Sequence, residues 1–229
     1  MNKQYYIRKL LSSEQLNSID NLIKNANETD SWQSGLNSTN GMGTYNKKNY
    51  ELSDLNITGD INSLIMNSLD SDPEFISYTC AKNSSLNIVS KTISGGYYKP
   101  HLDFWTCGDY STTVFLSNPE EYSGGELCLF LNDEEKKIKL DKGYAITYPT
   151  GILHRVNRVI SGVRYVSVFW TKTSIQDDFI REVYYELTKA LKSIEKKSIH
   201  HITCDSLNND TYFILDNLKN QILRKYSSQ

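Results

Sequence analysis

His101 and Asp103 stand two residues apart, an imidazole and a carboxylate within a stretch rich in β-branched and aromatic side chains. On a strand, positions i and i+2 project to one face, so the two groups would enter the same space. Two ligands cannot complete a metal's shell by themselves, and a third must come from another strand. The sequence has four histidines. His200 and His201 fall in a polar linker between helical stripes, where solvated loop residues are expected. His154 is the remaining histidine of the β-rich region, 53 residues after His101 and about five short strands later. Two histidines and one carboxylate on one face leave the opposite coordination positions open. That arrangement suits non-haem Fe(II), which needs free sites for a cosubstrate and O2.

H-x-D is a weak motif alone, and Arg164 adds weight to it. It lies ten residues after His154, within the apolar run Val163–Trp170. Period-two alternation places Arg164, Val166, Val168 and Trp170 on one face of that strand. An arginine on such a face requires an anionic partner, because an unpaired buried charge is very costly. A protein Asp or Glu could serve. A ligand carboxylate is the sharper reading, since a guanidinium offers a bidentate fork to the distal carboxylate of a 2-oxo dicarboxylic acid.

These side chains need a scaffold. Eight short runs, Leu86–Ile93, Tyr97–Asp103, Thr112–Leu116, Glu126–Leu131, Lys136–Leu140, Tyr144–Tyr148, Leu153–Val159 and Arg164–Thr171, alternate with Gly-, Asn- and Pro-containing breaks. Strands at this spacing predict an all-β sandwich, barrel or jelly roll. Before them, Ser12 and Gln15 form a capping box ahead of the stripe Leu16, Ile19, Leu22 and Ile23, which predicts a helix. The stretch Asn25–Thr58 loses periodicity and reads as an ordered loop, followed by a helix between Ile57 and Leu69. After Thr171, Ser174 is the expected N-cap of a helix with the stripe Ile175, Phe179, Ile180, Val183, Tyr184, Leu187 and Leu191. A polar break, Ser198–Asp205, precedes a last stripe from Leu207 to Leu223. The expected division is a helical and loop region at 1–85, a β core at 86–173 and C-terminal helices at 174–229. The fold class is mainly β with flanking helices.

The stretch Gly95-Gly96-Tyr97-Tyr98-Lys99-Pro100-His101-Leu102-Asp103-Phe104 resembles the G-G-x-Y-x-P-H-x-D-F signature of prolyl 4-hydroxylases. The wider chain is similar to bacterial PKHD-type hydroxylases, through Val114–Pro119, Tyr122–Leu127, Tyr148-Pro149, Leu153–Val156, Gly162–Arg164 and Phe169-Trp170. Trp32-x-x-Gly35 and Lys47–Leu52 match that family's N-terminal region, and Asp177-Asp178 its following helix. The resemblance implies a double-stranded β-helix, or jelly roll. It implies Fe(II) on His101, Asp103 and His154, with Arg164 on the far carboxylate of 2-oxoglutarate. The implied reaction decarboxylates 2-oxoglutarate to succinate and CO2 and hydroxylates an unactivated C–H bond, with ascorbate as a reductant. The tyrosine that many prolyl hydroxylases place nine or ten residues before the first ligand is replaced here by Thr92 and Lys91. Thr92 or Tyr98 could supply the missing hydroxyl to the cosubstrate. Trp105 and Trp170 are the aromatic candidates for the substrate cleft, although Trp170 could equally pack in the core.

The expected prime substrate is a prolyl residue of a peptide or protein. A free amino acid or other small molecule, and a non-catalytic jelly-roll binding module, are the alternatives. Asp103 disfavours a halogenase, in which that carboxylate is replaced. With 25 basic and 27 acidic side chains, a net charge of −2 gives no electrostatic grip on nucleic acid or anionic membrane. A mean hydropathy of −0.51 and the lack of a long apolar run argue against a membrane span. The polar, tyrosine-rich start shows no secretory signal, and Cys80, Cys107, Cys128 and Cys204 form no C-x-x-C pair, so a cytoplasmic protein with free thiols is expected. The sequence leaves oligomeric state open.

Overall fold

The structure, a computed structural model, describes residues 4–38, 46–104, 106–200 and 209–227. Its first elements are strand β1 (Tyr6–Lys9), helix α1 (Ser13–Glu28), strands β2 (Trp32–Ser34), β3 (Lys47–Lys48) and β4 (Tyr50–Leu52), and helices α2 (Leu55–Asp70) and α3 (Pro73–Thr79). Strands β5 (Ala81–Ser84), β6 (Ile88–Ile93), β7 (Tyr97–His101), β8 (Tyr110–Phe115), β9 (Tyr122–Gly124) and β10 (Leu127–Leu131) follow. The chain continues through β11 (Glu134–Ile138), β12 (Tyr144–Pro149), β13 (His154–Val156) and β14 (Val159–Thr173) to helices α4 (Asp178–His200) and α5 (Asn209–Tyr226). It divides into a larger unit, Lys3–Ser71 with Ser84–Thr171, and a smaller one, chiefly Asp72–Asn83 with Lys172–Gln229.

In the larger unit two antiparallel sheets run in the orders β1-β12-β8-β14-β6-β4-β2 and β11-β10-β13-β7-β3. Phe115, Ile146, Tyr148 and Val166 from the first sheet meet Leu127, Leu129 and Ile138 from the second, and all seven are buried. Each large apolar side chain removed from water in this way contributes about 1.5–3 kcal/mol. All eight expected runs form strands. β7 ends at His101, however, so Asp103 lies just past the strand rather than on it. β14 begins earlier than expected, at Val159, because its first residues pair with β9.

The capping box of α1 is present, with Ser12 Oγ accepting from Gln15 N–H at 3.2 Å and Gln15 Oε1 accepting from Ser12 N–H at 2.9 Å. Gln15 also donates to Leu64 O and Ser68 Oγ of α2, which ties the two helices together. The stretch expected as irregular is partly regular. α1 continues to Glu28, β2 pairs with β4, and β4 adds to β6 through Tyr50↔Lys91 and Glu51↔Ser90. These strands are too short to show a period, and pairing partners far away in sequence supply what local propensity lacks.

In the smaller unit, Tyr185 of α4 donates to Glu74 of α3 at 3.0 Å. Helix α4 starts at Asp178, and Asp177 Oδ1 accepts from Ile180 N–H. Ser174 is therefore not its cap, and its hydroxyl donates instead to Cys80 O at 2.9 Å. Of the expected stripe, Phe179 is exposed, and Tyr185 is buried rather than Tyr184. Helix α4 runs through His200, past the start of the expected break, while His201 lies outside the described residues. Among the described residues no helix is long and apolar enough to cross a membrane.

Candidate active site

Strands β7 and β13 pair antiparallel with His101 directly opposite His154, and their ring centroids lie 4.2 Å apart. Each imidazole is held in the same manner. His101 Nδ1 is 2.8 Å from Lys99 O and His154 Nδ1 is 2.9 Å from Ile152 O. Donation from Nδ1–H to a carbonyl fixes the tautomer and leaves Nε2 as a free lone pair. Both Nε2 atoms lie 3.9 Å from Asp103 Oδ1. The other carboxylate oxygen, Oδ2, accepts from the hydroxyl of Ser111 at the start of β8, which is fully buried. One donor atom from each of the three residues falls within 4.8 Å of the others, a set that could hold a metal ion. Burial, and next the neighbouring His154, push the pKa of His101 down to about 4, so the ring is neutral and able to ligate near pH 7.

The three residues open on a cavity of about 320 Å³. Arg164 lines it from β14, directly opposite Thr92 of β6. Arg164 is 3% exposed and its Nε has no hydrogen-bond partner among the described residues. Its electrostatic neighbours are the phenols of Tyr122 and Tyr148 rather than a carboxylate, and the guanidinium carbon lies 5.7 Å from the Phe115 ring centroid. Burial lowers the guanidinium's pKa and the two phenols counter it, but arginine remains charged at such sites. Gly125, at φ +68°, lets the chain turn close beside the arginine stem. A β-carbon there would come within 3.2 Å of Arg164 Cδ and 3.1 Å of the Tyr122 ring. Three lone-pair donors and a buried cation with phenol neighbours but no carboxylate partner among the described residues therefore face one cavity. This fits a divalent metal with an anionic ligand beside it.

Tyr98 also lines the cavity, its ring stacked on His101 at a centroid separation of 3.6 Å. Burial, with Asp103 and Glu51 nearby, pushes its phenol up to about 12, so it acts as a neutral hydroxyl. Thr92 is buried in the cavity wall, whereas Lys91 reaches away to Asn27 Oδ1 at 2.7 Å. Trp170 lines the cavity with its indole N–H buried and unpartnered among the described residues. Trp105 lies outside the described residues. Glu126 accepts from Asn157 at 3.0 Å and does not line the cavity. The sequence reading assigned no role to Ser111, Tyr148, Lys47 or Glu51. Tyr148 is buried in the cavity wall with its ring edge-on to His154 at 5.3 Å. Its strand alternation could have flagged it as inward-facing, but Ser111 had no local signal because only folding brings it to Asp103.

The model of the 2OG-Fe(II) oxygenase superfamily matches residues 87–172. A PKHD-type hydroxylase of Aliarcobacter butzleri is 32% identical over 202 residues, spanning 82% of this chain and 87% of that protein. The chain belongs to the PKHD-type hydroxylases. A second PKHD-type hydroxylase, from Colwellia psychrerythraea, is 33% identical over 211 residues and spans 89% of this chain and 92% of its own. The fold is also that of a solved prolyl hydroxylase from Trichoplax adhaerens, in complex with a hypoxia inducible factor oxygen degradation domain peptide fragment. That structure superposes with a TM-score of 0.62 at 17% identity, over 75% of this chain and 84% of its own. The two open antiparallel sheets of this PKHD-type hydroxylase are thus a jelly roll. Membership of the superfamily brings an oxidoreductase chemistry based on Fe(II), 2-oxoglutarate and O2.

Proposed function

We propose that this protein hydroxylates a prolyl residue of a peptide or protein, with His101, Asp103 and His154 holding Fe(II) and Arg164 binding 2-oxoglutarate. The observation that carries the reading is Arg164, a buried cation without a carboxylate partner among the described residues, facing the cavity of the three ligand residues. When bound, iron and 2-oxoglutarate use O2 to form succinate and CO2 and to place one oxygen atom on a substrate C–H bond. The chain's own residues orient and shield that chemistry. The Nδ1 hydrogen bonds of the histidines and the Ser111 bond to Asp103 fix three donor atoms before any metal arrives. Arg164 sets the register of the cosubstrate by taking its distal carboxylate, with the hydroxyl of Thr92 or Tyr98 as a further donor. Leu127, Val156, Val166 and Val168 make the adjoining walls apolar and keep bulk water from the reacting atoms. Trp170 offers the substrate its indole N–H, unpartnered among the described residues.

The peptide-bound prolyl hydroxylase of like fold supports a peptide substrate over a free amino acid. The free thiols of Cys80, Cys107 and Cys128 accord with a cytoplasmic setting, and ascorbate serves as the reductant that keeps the iron ferrous. Two experiments test the proposal. Anaerobic addition of Fe(II) and then 2-oxoglutarate to metal-free protein is expected to produce a weak visible charge-transfer band, lost in Arg164→Ala at low cosubstrate. Aerobic incubation is expected to yield succinate, and a gain of one oxygen on proline-containing peptides. Absence of the band in folded protein overturns the site assignment, and oxidation of free amino acids alone overturns the peptide substrate.

A further inference from the structure

Residues 46–52 cross from one sheet to the other beside the histidines. Lys47 of β3 is the register partner of Tyr98 in β7, and Glu51 of β4 is that of Ser90 in β6. Asn49 anchors the crossing. Its side chain donates to Ser90 Oγ at 2.7 Å and its carbonyl accepts from Gly35 N–H at 2.9 Å. The side chains of Lys47 and Glu51 then meet between the sheets, Nζ to Oε1 at 2.5 Å, with 10% and 6% of their surfaces exposed. Both line the cavity that holds the three ligand residues.

Cohesion between the sheets does not account for this pair. Desolvating two charges offsets most of their attraction, and apolar side chains of similar volume would join the sheets as well or better. One contact of the pair leads to the metal site. Lys47 Nζ lies 5.3 Å from the centroid of the Tyr98 ring, within the range of a cation–π contact. That ring is stacked on His101, with only 18° between the planes. A tilt of Tyr98 would turn the imidazole or part the stack.

We propose that Lys47 and Glu51 are positioning residues for the first metal ligand. Glu51 pins the Lys47 ammonium over Tyr98, and Tyr98 holds the plane of His101, an outer layer of support of the kind that tunes metal affinity. This inference rests on the reading of His101 as an iron ligand.

The test uses the whole protein and reads anaerobic Fe(II) affinity by chelator competition. It also reads the energy of the charge-transfer band at saturating Fe(II) and 2-oxoglutarate, and the melting temperature. Lys47→Met and Glu51→Gln are each expected to weaken Fe(II) binding about tenfold to a hundredfold and to displace the band. Lys47→Met combined with Glu51→Leu should be no worse than the weaker single variant, because the two residues act as one unit. Lys47→Arg keeps the cation and should retain both affinity and band position. Lys142→Met removes a different ion pair of the same unit, Lys142 with Asp20 at 2.5 Å, and should leave both readouts unchanged. Unaltered affinity and band in folded Lys47→Met and Glu51→Gln overturn the proposal, and if the first does not fold, the near-isosteric second decides. Failure of the wild-type protein to bind Fe(II) would refute the ligand assignment itself, a distinct result.

Discussion

Replacing Arg164 with Met should make the metal- and cosubstrate-free protein more stable while weakening its grip on 2-oxoglutarate. The reasoning starts from a guanidinium that is 3% exposed and has no carboxylate partner among the described residues. Exchanging such a charge for an apolar side chain of similar length is worth about 1–4 kcal/mol. The contact with the Phe115 ring, at 5.7 Å, returns part of this to the arginine, roughly 0.5–1 kcal/mol. What remains, up to about 3.5 kcal/mol, should raise Tm by as much as roughly 7–14 °C for a chain of this size. The cosubstrate side runs the other way. Removing one partner of a buried charge pair costs about 2–5 kcal/mol, which at 1.36 kcal/mol per decade weakens 2-oxoglutarate binding roughly thirtyfold to several-thousandfold. Calorimetric melting with and without 2-oxoglutarate, at constant Fe(II) and without O2, reads both effects. Cosubstrate at a hundred times its Kd stabilises the wild type by about 2.7 kcal/mol and should erase much of the variant's advantage. A variant that melts below the wild type without cosubstrate would mean that the Tyr122 and Tyr148 phenols already compensate the buried charge. Unchanged affinity for 2-oxoglutarate would mean that its carboxylate binds elsewhere.

Three further outcomes follow from the same geometry. Ser111→Ala leaves Asp103 without its buried donor, and Fe(II) affinity measured by chelator competition should fall about tenfold to a hundredfold; an unchanged value would show that Asp103 is held in place without it. Alkylation of native protein should reach the half-buried Cys107 before Cys128 or Cys80, whose thiol burial pushes up to about 12, and peptide mapping with and without denaturant checks this order. Ser12→Ala removes the capping box of α1 and should cost about 1 kcal/mol, seen as a Tm lowered by roughly 2–4 °C with 2-oxoglutarate affinity intact.

Much of this was legible before folding because it rests on short-range periodicity. The strand run around His101, the alternation that put Arg164 on an inward face, and the capping box of Ser12 and Gln15 all depend on neighbours within a few residues. Other expectations went wrong where competing contacts lie farther off. Ser174 looks like a cap from its place ahead of an apolar stripe, yet its hydroxyl is taken by Cys80 O and Asp177 caps the helix. Residues 32–34 and 50–52 look irregular because three-residue strands carry no period, and they become strands through pairing with each other and with β6.

The sequence by itself determined which groups could do chemistry here, a histidine and a carboxylate two residues apart, one further histidine in the β region, and an arginine on an apolar strand. It determined the strand-rich scaffold as well, since alternation and turn residues are local properties of the chain. Only the tertiary structure decided that His154 lies in register across from His101, that Ser111 fixes the free oxygen of Asp103, and that Tyr148 neighbours both His154 and Arg164. The pair of Lys47 and Glu51 belongs with these. Four residues apart they look like an ordinary polar loop, and their meaning comes from lying on different sheets with Tyr98 beneath them. Orientation of a side chain is set by the atoms packed around it, and here those atoms come from strands tens of residues away.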